Sequence, residues 1–97
     1  MLLDRFKDKT DKDIALWATK QAYIALGNLL TVCAFEKIDS CPMEGFIPAK
    51  LDTLLNLEQK NITSVLLLPV GYREKEDQNA KSAKIRRPIS DIIEHIF

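Results

Sequence analysis

The residues best suited to chemistry in this chain are Asp39-Ser40-Cys41-Pro42-Met43-Glu44-Gly45-Phe46, a tight loop in which a proline and a glycine bracket a single carboxylate. It follows the longest helical pattern in the sequence. A turn of this kind leaves backbone N–H groups without partners, and a glycine lets such donors approach a flat, electron-poor ring closely. A second candidate is the pair Lys84 and Arg86, inside the basic stretch Lys81 to Arg87. Two residues apart on an extended segment, their side chains leave the same face, so both cations can converge on one dianion. Arginine would grip it through a planar fork and lysine as a point charge. Each feature also has an ordinary reading: a helix-to-strand turn with an exposed Glu44, and a solvated basic run.

Other chemistries find little support. Cys33, Cys41 and His95 lack the further ligands that a metal site needs. No nucleophile–base arrangement, glycine-rich phosphate loop or dinucleotide fingerprint is present. Two cysteines cannot form a disulfide framework and are expected as reduced thiols. The 14 basic and 14 acidic residues cancel, which removes the electrostatic case for nucleic-acid binding. The apolar stretch Ala22–Phe35 is shorter than the ~20 residues that span a bilayer, and no secretory signal opens the chain at Met1. A cytoplasmic protein with no membrane contact is expected.

The elements that must position these residues begin with a helix of about 26 residues, ~39 Å long, capped by Thr10 or Asp11. Ile14, Trp17, Ala18, Ala22, Ala25, Leu26, Leu29, Leu30 and Cys33 mark one face; Leu16, Tyr23, Ile24, Val32 and Phe35 cover much of the other. A helix apolar on so many sides needs more cover than the rest of 97 residues can give, which implies a partner. Pro48 suits the first turn of a short helix with Ala49, Leu51, Leu54 and Leu55 facing inward. The run Ile62 to Gly71 predicts a central strand covered on both faces, its pairing thinning near Val70 because Pro69 has no N–H. Residues 72–84 predict a solvated loop. Ile89, Ile92, Ile93 and Ile96 predict a short amphipathic helix starting near Ser90.

Four blocks in order give the chain a family resemblance: residues 17–28 (Trp17 to Asn28), Cys41 to Phe46, Leu67 to Tyr72, and Lys84 to Pro88. Together they resemble the C-terminal part of an FMN-dependent NAD(P)H nitroreductase. The resemblance implies an α+β fold with a long central helix, a short helix, one central strand and a short C-terminal helix. Residues 1–97 would be the C-terminal portion of that domain, incomplete as a stand-alone fold. It implies that Pro42, Met43, Glu44 and Gly45 lie against the flavin, with the Glu44 and Gly45 amides directed at its N5 edge. Lys84 and Arg86 would hold the FMN phosphate, and NAD(P)H would act as a transient reductant for nitroaromatic or quinone-type acceptors. None of these residues is assigned a catalytic role.

The same resemblance makes the helix around Thr10–Lys37 a dimerisation element, with Gln21 and Asn28 as its polar positions. The family's N-terminal part carries further cofactor contacts and strands. The expected partner is therefore a second copy or a missing N-terminal half. The alternative is a truncated, catalytically inactive relative that folds as a helical dimer or serves as a binding module.

Overall fold

A computed structural model describes residues 2–97; Met1, the first residue of the expected 1–97 domain and of the leader reading, lies outside the described residues. The element order is α1 (Leu2–Arg5), α2 (Asp11–Phe35), β1 (Asp39–Ser40), α3 (Pro48–Leu54), a 3₁₀ turn (Glu58–Lys60), β2 (Val70–Gly71), α4 (Gln78–Lys81) and α5 (Ile89–Ile92). This is an α+β arrangement, rich in helix with a two-stranded antiparallel sheet.

Local chemistry fixes both ends of α2. Thr10 is its cap: the Thr10 hydroxyl oxygen accepts from the Asp13 N–H at 3.1 Å, and the Asp13 carboxylate accepts from the Thr10 N–H at 3.1 Å. This reciprocal pair satisfies two N–H groups that the helix start would otherwise orphan. Bonds from the Thr10 hydroxyl and then its N–H hold the Asp13 carboxyl below the ordinary aspartate value. At the other end the Ile38 N–H donates to the Cys33 carbonyl at 2.8 Å and the Lys37 N–H to that of Ala34 at 3.3 Å. That is a Schellman closure, and it places Lys37 in the left-handed region at φ 58°, where glycine is the usual occupant.

Only one stripe of α2 faces the rest of the chain. Thr19, Ala22, Leu26 and Leu30 are half-buried and Cys33 is buried, at spacings of three and four residues. The predicted inward positions Ile14, Trp17 and Leu29 remain exposed, as do Leu16, Tyr23, Ile24, Val32 and Phe35. Trp17 instead meets Phe6 edge-on, with ring centroids 4.9 Å apart.

The predicted central strand is realised on one edge only. Asp39 pairs with Gly71, Ser40 with Val70, and Met43 with Leu67, all in one antiparallel register. Two prolines divide this ribbon. Pro69, opposite Cys41, cannot donate, although its carbonyl accepts from the Cys41 N–H at 3.1 Å. Pro42 leaves a second gap opposite Leu68. Pairing therefore resumes at Val70 rather than thinning there. Residues 64–68 are half-buried, not fully covered.

α3 begins with Pro48 in its first turn and half-buries Leu51, as the sequence predicts, but its buried residue is none of the four expected to face inward. Leu54 and Leu55 are exposed, whereas Asp52 is buried. Its carboxylate accepts from the Ser64 N–H at 2.9 Å and the Ser64 hydroxyl at 2.6 Å. The polar bond decides the rotation of a helix too short to be governed by its apolar stripe. It also ties α3 to the extended segment that leads into Leu67.

Beyond Tyr72 the predicted solvated loop contains α4, one turn capped by the Asp77 carboxylate on the Asn79 N–H at 2.9 Å. α5 is a single turn starting at Ile89, and Ile89, Ile92, Ile93 and Ile96 are all exposed. The molecule has an accessible surface of 9299 Å² and a radius of gyration of 17.9 Å. A closed monomer of this mass exposes about 5,600 Å², and one of about 100 residues has a radius near 13 Å. Cys33 and Asp52 are the only buried residues among those described. Among the described residues, no helix is long and apolar enough to cross a membrane.

Candidate functional site

The turn at Pro42–Phe46 is assembled from the ribbon just described. Met43 exchanges both backbone bonds with Leu67, at 2.8 and 2.9 Å, which fixes the strand just before the turn. In an antiparallel ladder the residue after such a pair directs its N–H away from the partner strand. Glu44 therefore presents its amide on the open side. The Glu44 carbonyl accepts from the Phe46 N–H at 2.8 Å, closing a tight turn around Gly45. Among the described residues, neither the Glu44 nor the Gly45 N–H has a hydrogen-bond partner.

Gly45 sharpens this geometry. It does not have a positive φ, and a Cβ built on it would meet nothing within 4 Å. Neither backbone conformation nor packing inside this chain requires a glycine there. What its missing side chain leaves is unobstructed access to two adjacent amide donors.

A helix side chain reaches this turn. The Tyr23 hydroxyl, midway along α2, donates to the Glu44 carboxylate. That bond, with a smaller contribution from burial, holds the Tyr23 phenol above its ordinary value. Glu44 is thus exposed but tethered.

The cationic pair is arranged differently. Lys84 lines an open cleft of about 390 Å³ together with Asp39, Cys41, Val70 and Arg73. Arg86 is not among its lining residues, and its guanidinium donates to the Ile85 carbonyl at 2.8 Å. Pro42, Met43, Glu44 and Gly45 are brought together in one turn; among the described residues no hydrogen bond or ion pair joins Lys84 or Arg86 to them. The donor set at the turn fits one edge of a flavin: two adjacent unpaired amides beside a glycine with open space in front. The cleft at Lys84 offers one cation toward an anion.

Three contacts escaped sequence reasoning. Arg73 donates to the Asp39 carboxylate from its N–H at 2.9 Å, from Nε at 2.8 Å and from Nη2, closing the ribbon at its far end. Arg73 holds the Asp39 carboxyl below the ordinary aspartate value, chiefly through its side-chain bonds. The Asp52–Ser64 and Tyr23–Glu44 pairs are the other two. Each partner lies 12 or more residues away, and no local spacing signals such bonds. Cys33, buried, and Cys41, exposed in the cleft wall, are both free thiols. Among the described residues no cluster of His, Cys, Asp and Glu could hold a metal ion.

The model of the nitroreductase family matches residues 1–72, a span that includes Pro42–Phe46 and ends before Lys84. An oxygen-insensitive NAD(P)H nitroreductase from Enterobacter cloacae is 40% identical over 82 residues, which cover 84% of this chain and 38% of that protein. One of the same description from Salmonella typhimurium is 36% identical over 85 residues, covering 88% of this chain and 39% of that protein. The chain thus spans about two fifths of the length of the curated relatives it matches.

Proposed function

This chain belongs to the nitroreductase family, and from that premise we propose that it forms the C-terminal portion of an FMN-dependent oxidoreductase carrying reducing equivalents from NAD(P)H to nitroaromatic or quinone-type acceptors. When bound, FMN supplies the ring that accepts and passes on the hydride. The residues of this chain hold and tune that ring. The Glu44 and Gly45 N–H groups would hold its N5 edge, supplying fixed donors that need no rearrangement during turnover. Pro42 and Met43 form the wall beside it. Lys84, in the cleft, and Arg86, which would have to release the Ile85 carbonyl, are the residues that would hold the phosphate.

One observation carries this reading: the two adjacent unpaired amides at Glu44 and Gly45, next to a glycine that the chain's own fold does not require. FMN titration of the purified chain, alone and together with an N-terminal half of the family, tests it. A flavin absorbance band that travels with the protein is expected in at least the second case. Failure to bind FMN in both overturns the reading.

The proposal extends to partners and place. The surface exceeds that of a closed monomer by roughly 3,700 Å², and α2 carries much of the exposed apolar part. Buried between two copies, that excess would total about 7,400 Å², at or above the upper end of what obligate interfaces bury. A second copy packed along α2, or the remaining N-terminal portion of the domain, would cover it. Two free thiols support a cytoplasmic location.

A second reading, an inactive relative that folds as a helical dimer or acts as a binding module, is favoured by the separation of Arg86 from the Lys84 cleft. It predicts a dimer by light scattering and a blank diaphorase assay. Turnover with NAD(P)H would overturn it.

A further inference from the structure

We propose that Tyr23 is a positioning residue for the cofactor: its hydroxyl latches the Glu44 side chain to α2 and so aims the Glu44 and Gly45 amides. The inference rests on the FMN reading above for what those amides meet, but the latch is a property of this chain.

The turn has little else to hold it. Upstream, the Met43–Leu67 pair fixes the strand; downstream, α3 starts at Pro48. Among the described residues, the one backbone bond within residues 44–46 runs from the Phe46 N–H to the Glu44 carbonyl. That bond closes the turn without fixing its rotation about the strand axis. Along an extended segment side chains stand roughly perpendicular to the plane that holds the N–H and C=O groups. Holding the Glu44 carboxylate against α2 therefore sets the direction of the Glu44 N–H.

The anchor itself is stiff. Tyr23 lies midway along a 25-residue helix closed at both ends, directly beside Ala22 of the stripe that packs toward the rest of the chain. A phenol O–H donating to a carboxylate is a charge-assisted bond, stronger than a neutral one. The raised phenol titration of Tyr23, attributed first to Glu44, agrees with that contact. The hydrogen bond that ties Tyr23 to the turn goes to the Glu44 side chain, so its role is positional and not catalytic.

The test uses the 97-residue chain and three variants: Tyr23→Phe, which keeps the ring and removes the donor; Glu44→Ala, which removes the acceptor; and Glu44→Gln, which keeps an oxygen to accept the bond. The first readout needs no cofactor. Backbone ¹⁵N order parameters at Glu44 and Gly45 should be about 0.85 in the parent and fall below about 0.6 in Tyr23→Phe and Glu44→Ala. Glu44→Gln should restore them toward the parent value. The second readout is FMN titration, with a Kd at least about fivefold weaker in the first two variants and the shift of the bound flavin's visible band lost in both. Glu44→Gln should keep both properties. If Tyr23→Phe misfolds, Glu44→Ala, which leaves α2 intact, decides the matter. Unchanged order parameters in both donor and acceptor variants overturn the latch, as does a failure of Glu44→Gln to rescue. A parent chain that binds no FMN, with or without an N-terminal half, overturns the FMN reading while the order parameters still judge the latch.

Discussion

Residues 39–73 and residues 74–97 follow one another in the chain, yet they are held by different kinds of bond. In the first region long-range bonds tie the local turns together: Asp39 to Arg73, Cys41 to Pro69, Met43 to Leu67, Asp52 to Ser64, and Glu44 back to Tyr23. In the second, the described bonds are local, such as Asn79 to Asp77, Ser82 to Gln78, Arg86 to Ile85 and Ile93 to Ile89. Its ion pair, Lys81 with Glu76 at 3.5 Å, joins two exposed side chains five residues apart. The two halves of the expected cofactor site fall on opposite sides of this divide. The amide donors sit on the region this chain builds for itself. The cations sit on a segment that takes its shape from its nearest neighbours in sequence. A backbone-donor site can be preformed by register and one side-chain tether, whereas a phosphate site needs two long side chains ordered together, at an entropic cost of up to ~2 kcal/mol for each.

The comparison can be broken at several points. The largest effect belongs to Asp52→Ala, which removes a buried acceptor and strands the Ser64 groups. A loss of about 2–3 kcal/mol is expected, read as a lower urea midpoint by circular dichroism, with the Met43–Leu67 amides losing exchange protection. Next is Gly45→Ala. Its Cβ meets nothing in the chain, so stability should stay within about 0.5 kcal/mol. FMN affinity should nevertheless fall at least about tenfold, or ~1.4 kcal/mol. A variant that binds FMN as well as the parent would mean that nothing approaches Gly45.

A smaller, pH-dependent effect is expected from Asp39→Asn. Arg73 holds the Asp39 carboxyl below its ordinary value. Its contribution is therefore present above the ordinary aspartate pKa and is lost as pH falls through the depressed folded value. The parent should be more stable than Asp39→Asn at pH 6, and the two should converge at strongly acidic pH. Because the pair is exposed, added salt should narrow the gap as well. Smallest of all is Lys81→Ala, expected to leave the urea midpoint within about 0.5 kcal/mol of the parent. A larger change there would show that the tail is held by more than local bonds.

How much of this was legible in the sequence follows the same divide between local and distant causes. The extent of α2 and its Thr10 cap are local, written in apolar spacing and one hydroxyl, and the structure agrees with them to within a few residues. Pro48 at the start of α3 is equally local. The turn at Pro42–Gly45 could be read as a block of residues, but not its tether, because Tyr23 lies 21 positions before Glu44. Leucine spacing in α3 pointed Leu54 and Leu55 inward, and a carboxylate bond to Ser64 turned Asp52 inward instead. The run Ile62–Gly71 reads as a strand covered on both sides. Periodicity does not say which chain segment supplies the cover, and within residues 2–97 only one edge of it is paired.

Which amides FMN touches is the most direct test of the donor site at Glu44 and Gly45. A ¹H–¹⁵N correlation spectrum of the ¹⁵N-labelled chain, titrated with FMN in the presence of an unlabelled N-terminal half, reports every amide of this chain at once. A donor site there gives the largest shifts at Glu44 and Gly45, with smaller ones at Lys84 and Arg86 as the phosphate draws the tail in. Shifts confined to residues 74–97, or a bound flavin that leaves the Glu44 and Gly45 amides unmoved, would contradict it.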